Sequence, residues 1–215
     1  MNSQFVVQTL QESRLIAILR GDCEGKELDI AGALVEGGGA MEVSIVSKDY
    51  KNVITRIAQN FGSRILVGAG TVLTVEQLNE VASSGATFVV SPDSNDAVIA
   101  ATRRLGCASF PGAFTPTEIV KAFNSGADAV KLFPASSLGP NFVRGIRGPL
   151  PAMKLIPTGG VGLDNIEAWF GAGAWAVAIG SELVDAQTVR SADWDLLAQR
   201  ARSFTKAVSG AAHVG

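Results

Sequence analysis

The dipeptide Gly-Ala recurs at Gly39-Ala40, Gly85-Ala86, Gly126-Ala127 and Gly173-Ala174, each time closing a helical pattern and opening a short apolar run. A glycine at that place is the expected left-handed cap of a helix that hands the chain on to a strand. The marks are spaced at roughly 40–47 residues, about two strand–helix units each. The apolar runs are LIAIL (15–19), MEVSIV (41–46), RILVGA (64–69), TFVV (87–90), CASF (107–110), ADAVKLF (127–133), MKLIP (153–157) and WAVAIG (175–180). Helical stretches such as KELDIAGALVEG, VEQLNEVASSG, NDAVIAATRRLG and TPTEIVKAFNSG lie between them. Strict alternation of this kind calls for a parallel sheet covered by helices. Eight units call for a single (β/α)8 TIM barrel spanning residues 1–215, at the short end of that fold's size range. A doubly wound open sheet is the runner-up, but no G-x-G-x-x-G follows the first strand.

Composition excludes several classes of function. Of 215 residues 47% are hydrophobic and the formal net charge is −2, so no basic surface points to a nucleic-acid partner. The two cysteines, Cys23 and Cys107, are far apart and form no C-x-x-C, which fits a reducing compartment. No apolar stretch reaches about 18 residues and the first residues lack a signal-peptide pattern, so a cytoplasmic protein with no membrane partner is expected. The sole histidine is His213, which disfavours Ser-His-Asp hydrolysis, histidine-ligated zinc and histidine general-base chemistry. Neither a metal nor another cofactor is expected.

In such a barrel the chemistry is found at the C-terminal ends of the strands. Those ends carry Arg20, Glu42, Gly68 to Thr71, Ser91-Pro92, Pro111-Gly112, Lys131, Thr158 to Gly160, and Gly180-Ser181. Period-2 alternation puts Ala127, Ala129 and Lys131 on one face, with small residues making room for the lysine stem. An amine in an apolar interior is disfavoured in its charged form, which frees it as a nucleophile. The competing reading is a lysine that snorkels to the rim. Ala40, Glu42 and Ser44 likewise share the inward face of the second strand, while Met41, Val43 and Ile45 face the helices. Glu42 is then either a proton carrier beside Lys131 or its structural ion-pair partner. Thr158-Gly159-Gly160 and Gly180-Ser181 follow the seventh and eighth strands, where barrels bind phosphate through backbone N–H groups and a short helix N-terminus. Plain turn chemistry is the alternative there. Arg20 can clamp an anion or pair at the rim with Glu12 or Asp22. Trp169, Trp175 and Trp194 read as packing between helices and barrel.

These residues resemble a known family. AILRG (17–21), MEVSIV (41–46), GAGTVL (68–73), SP (91–92), KLFPAS (131–136), PTGGV (157–161) and GSEL (180–183) are similar, in order and over nearly the whole chain, to the 2-keto-3-deoxy-6-phosphogluconate aldolases. The group includes the 4-hydroxy-2-oxoglutarate and 2-keto-3-deoxy-6-phosphogalactonate aldolases. The resemblance implies a class I aldolase, a homotrimer of metal-free barrels cleaving a phosphorylated keto sugar acid to pyruvate and glyceraldehyde 3-phosphate. It implies Lys131 as the Schiff-base lysine and Glu42 as general acid and base. Thr71 and Pro92 would line the pyruvate pocket, with Gly159, Gly160 and Ser181 at the phosphate; Phe133, Thr158 and Gly180 are further candidate substrate-binding residues. Four residues after Glu42, where the gluconate branch usually carries arginine, stands Val46. AILRG and SSLGPNF (136–142) resemble the galactonate branch, PTGG the gluconate branch, so the sugar configuration and a phosphate, sulfonate or carboxylate tail stay open. Two other readings are a metal-dependent epimerase or class II aldolase, and a catalytically silent sugar-phosphate binding barrel.

Overall fold

The computed structural model describes residues 2–21, 23, 25–35 and 39–211; His213 and Asp22 lie outside them. The strands β1 (Leu15–Leu19), β2 (Ala40–Ser44), β3 (Leu66–Gly70), β4 (Phe88–Val90), β5 (Ala108–Phe110), β6 (Gly112–Ala113), β7 (Val130–Leu132), β8 (Leu155–Pro157) and β9 (Val177–Ile179) pair in parallel throughout. One sheet runs β5-β4-β3-β2-β1-β9 and the other β6-β7-β8. A parallel bridge from Thr158 to Ala178 joins β8 to β9. β5 and β6 are one strand interrupted at Pro111, which has no N–H to give to the ladder. Eight strands therefore close on themselves as the (β/α)8 barrel that the alternation predicts.

The strands are shorter than the apolar runs. ADAVKLF contributes only Val130–Leu132, and MEVSIV starts one residue early, at Ala40, and leaves the sheet after Ser44. Ala127 is buried in the outer core, among Val130 and Leu132, rather than beneath Lys131. The chain enters β7 through a Gly126 turn, so alternation counted back from Lys131 fails before the strand begins.

The helices are α1 (Ser3–Ser13), α2 (Glu27–Val35), α3 (Tyr50–Phe61), α4 (Val75–Ser83), α5 (Asp96–Arg104), α6 (Pro116–Asn124), α7 (Pro140–Arg147), α8 (Ile166–Gly171), α9 (Ala186–Ser191) and α10 (Trp194–Ala211). Local sequence starts them: Thr74 with Gln77, and Thr115 with Glu118, form capping boxes that satisfy the first N–H groups of α4 and α6. Among the described residues no helix is long and apolar enough to cross a membrane.

Two cores result. The outer one lies between strands and helices and takes Met41, Val43, Val130 and Leu132. The inner one fills the barrel with Ile16, Ala40, Leu66, Phe88, Phe110, Ala129, Ile156 and Ala178. α1 closes its lower end with Val6 and Leu10, both fully buried. Trp175 packs against this inner plug, its ring centroid 6.4 Å from that of Phe110, and not between helices and barrel as its sequence position suggests. Trp169 is buried in the outer core, as expected, with Trp194 packed against it. The lower end is thus apolar and sealed, which leaves the C-terminal strand ends as the open mouth.

Candidate active site

Above the inner plug the inward positions turn polar. The register sets Ile18 beside Glu42 and Glu42 beside Gly68, while Gly112 and Ile156 flank Lys131. Glu42 is 2% exposed and Lys131 6% exposed. Two glycines of β3 make this burial feasible. Side chains at Gly68 and Gly70 would overlap the Phe88 ring and the Glu42 carboxyl respectively, so the carboxyl occupies space that only a glycine leaves.

Lys131 does not snorkel to the rim. Its Nζ sits 5.1 Å from the centroid of the Phe133 ring, a cation–π distance, and among the described residues it has no carboxylate partner. Glu42 Oε2 is buried and accepts no hydrogen bond. A structural Lys131–Glu42 ion pair is therefore absent. Buried polar groups without partners are costly, so this pair of groups presents unsatisfied bonding capacity to whatever enters the mouth.

The remaining strand-end residues ring these two. Thr71, directly after β3, adopts φ +66°, the left-handed region that a β-branched residue rarely enters. Its hydroxyl lies 3.1 Å from that of Ser44. Pro92 is partly buried after β4, beside the buried Ser91, whose hydroxyl donates to the Val72 carbonyl. Thr158 is buried, its hydroxyl donating to the Ile156 carbonyl at 3.2 Å. Gly159 and Gly160 follow with φ +87° and +77°. This loop is zipped to the one after β7: the Ala135 and Ser136 N–H groups donate to the Thr158 and Gly159 carbonyls, each at 2.9 Å. Phe133 is exposed at the mouth and abuts Gly159.

After β9 the N–H groups of Leu183 and Val184 donate to the Gly180 carbonyl, and Ser181 is exposed. That single turn is not a regular helix, so the helix N-terminus expected there is missing and α9 begins only at Ala186. Arg20 is exposed just above β1, and among the described residues it pairs with neither Glu12 nor any other carboxylate. Val46, 65% exposed, puts an apolar side chain at the same rim.

Residues 6–200 match the family model described as KDPG and KHG aldolase. The chain belongs to that family. It is 35% identical over 196 residues to the 2-dehydro-3-deoxy-6-phosphogalactonate aldolase of Escherichia coli, covering 90% of this chain and 93% of that protein. It is 34% identical over 191 residues to the 2-dehydro-3-deoxy-phosphogluconate aldolase of Treponema pallidum, covering 88% of this chain and 90% of that one. The crystal structure of KDPG aldolase from Legionella pneumophila, with pyruvate captured as a covalent carbinolamine intermediate, superposes with a TM-score of 0.84 at 26% identity. It covers 92% of this chain and 96% of that one.

Within this aldolase-family barrel, three contacts escape sequence reading. They are the Ser44–Thr71 hydroxyl pair, the Gly21 N–H that donates to Ser47 Oγ at 2.9 Å, and the ion pair of a second buried glutamate, Glu27 in the outer wall, with Arg56. All join residues from different strand–helix units, and nothing local in the sequence announces such partners. The room above Glu42 was legible in principle, since GAG in β3 sets Gly70 one inward position beyond Gly68.

Proposed function

We propose that this protein is a class I aldolase that reversibly cleaves a 2-keto-3-deoxy-6-phospho sugar acid to pyruvate and D-glyceraldehyde 3-phosphate. The observation that carries this reading is the pair Lys131 and Glu42, both buried at the open end of the barrel and neither paired with the other. A silent binding protein has no use for two such groups. Family membership supports the same chemistry, and so does the pyruvate carbinolamine in the Legionella relative.

The mechanism follows from the roles. The Lys131 amine adds to the C2 ketone and the carbinolamine loses water to give an iminium. Glu42 takes the C4 hydroxyl proton as the C3–C4 bond breaks, its electron pair flowing into the iminium. The aldehyde leaves and an enamine remains. Glu42 returns a proton to C3, and water hydrolyses the new iminium to pyruvate and the free amine. Thr71 and Pro92 line the pyruvyl end, and the Phe133 ring covers the amine. Arg20, Thr158, Gly159, Gly160, Gly180 and Ser181 receive the distal part of the substrate. The assembly is a homotrimer in the cytoplasm, and the chemistry requires no metal. Incubation with pyruvate and borohydride should add one reduced pyruvyl group, located by mass spectrometry on Lys131, and abolish turnover. An adduct on a different lysine, or none, overturns the mechanism.

A further inference from the structure

We propose that Ser44 is a positioning residue that holds Thr71 in its left-handed conformation and points the Thr71 hydroxyl at the carboxylate of bound pyruvate. The inference rests on the pyruvyl end being at Thr71, as proposed above. Ser44 is the next inward residue of β2 after Glu42 and is 1% exposed, so its hydroxyl must be satisfied within the protein. Its register partner on β3 is Gly70, the residue just before Thr71, and the two hydroxyls meet at 3.1 Å. Thr71 holds φ +66°, a conformation that persists only where its surroundings enforce it. The Ile45 N–H donates to the Gly70 carbonyl on one side and the Val72 N–H to the Val90 carbonyl on the other. The backbone around Thr71 is pinned on both sides, and Ser44 supplies the side-chain contact.

The chemistry gives the pair a direction. Each hydroxyl has one proton, and the geometry alone allows either to donate. A carboxylate can only accept. Once it sits against Thr71, the Thr71 proton is drawn to the anion and Ser44 becomes the donor to Thr71 Oγ1. The chain Ser44 to Thr71 to carboxylate is then polarised in one sense, which strengthens both bonds. Ser44 acts through Thr71 and is assigned no contact with the reacting atoms.

A double-variant cycle tests this. Ser44→Ala should raise the KM for pyruvate in the condensation direction about 2–10-fold, the range of one lost neutral hydrogen bond, with kcat near wild type. Thr71→Val should raise it further, and the double variant should match Thr71→Val alone, because Ser44 has nothing left to orient. Ser44→Thr should restore the wild-type KM. Should the alanine variant not fold, Ser44→Cys keeps the volume with a weak donor and reads the same way. An unchanged KM in Ser44→Ala or Ser44→Cys, or additive effects in the double variant, overturns the proposal. Borohydride trapping on the wild type separates the failures: no adduct at Lys131 refutes the aldolase reading itself, while a normal adduct with an unchanged Ser44→Ala KM refutes only the role of Ser44.

Discussion

Two glutamates, Glu27 in the outer wall and Glu42 in the barrel interior, are each 2% exposed and differ in everything else. Glu27 opens α2 and forms an ion pair with Arg56 of α3, while the Cys23 thiol donates to its other oxygen at 3.7 Å. Burial pushes that thiol's pKa up and the Glu27 charge adds to the shift, so Cys23 stays protonated and able to donate. Glu42 has a buried oxygen with no donor at all. A carboxylate enclosed with its partners joins two helices and has no capacity to spare. One enclosed without them is costly to the fold and keeps its capacity for a ligand. Burial alone does not distinguish structure from chemistry; the partner list does.

The largest effect expected from this difference is at Glu42. Glu42→Gln keeps the shape and removes the carboxyl proposed as the base, so turnover should fall by about 10²–10⁴-fold while thermal stability holds or rises. Slow pyruvate trapping at Lys131 should survive, because the amine is untouched. An unfolded variant, or one with wild-type turnover, would make Glu42 a structural group like Glu27.

At Glu27 the consequence moves from turnover to stability, and the sign of an asymmetry is the test. Arg56→Gln leaves a buried charge unpaired and should cost about 3 kcal/mol, although the arginine itself is half exposed. Glu27→Gln leaves an arginine that water can reach and should cost only about 1–2 kcal/mol. Urea unfolding of the two variants gives the comparison, with turnover near wild type in both. The reverse order, with Glu27→Gln the more damaging, would mean that Glu27 works by packing rather than charge.

The architecture was legible because strand–helix alternation is a local property, repeated eight times and punctuated by Gly-Ala. The inward placement of Glu42 follows from two-residue periodicity alone, and so does that of Lys131. What stayed hidden depends on closure and partners. Alternation wrongly carried Ala127 inward because the strand starts after it. Trp175 reads as outward until α1 closes the barrel floor around the inner core. The Glu27–Arg56 pair and the Ser44–Thr71 contact join separate units, so only the folded wall reveals which carboxylate is satisfied and which threonine is held at positive φ.

The same comparison extends to two arginines. Arg56 is committed to Glu27, whereas Arg20 is exposed and, among the described residues, has no carboxylate partner. Its backbone is placed, however, by the Gly21 N–H bonded to Ser47, beside the Val46 where an arginine is absent. Under the proposed function, Arg20 is then a rim cation left to meet a substrate anion. Arg20→Ala should raise the KM for the phosphorylated substrate about 10–100-fold, the range of hydrogen bonds to a charged group, and leave pyruvate trapping normal. A loss shared equally by pyruvate would move Arg20 to the pyruvyl carboxylate, and unchanged kinetics with both would return it to the solvent-exposed rim.

The smallest effect belongs to a third carboxylate, Asp185, which calibrates the other two because it is paired but only partly buried. Burial alone would raise its carboxyl, yet hydrogen bonds from the Thr188 hydroxyl and N–H, and the Arg200 guanidinium, outweigh that and hold it well below the usual carboxylate range. It also caps α9 through the Gln187 and Thr188 N–H groups. A carboxyl depressed in the folded state stabilises the protein above its unfolded value near about 3.9, and that contribution is lost as the pH falls. With both side chains about a third exposed or less, solvent screens the pair, and the contribution is about 0.5–1 kcal/mol. Asp185→Asn retains a capping oxygen but no charge. Wild type and variant should therefore differ by that amount at pH 7, and the gap should shrink steadily as the pH falls from about 5 towards the depressed folded value, read as urea midpoints across the range. A gap that stays constant from pH 7 down to about pH 2 would show that Asp185 acts as a neutral cap, and that charge at this partly open site contributes nothing measurable beside the buried Glu27.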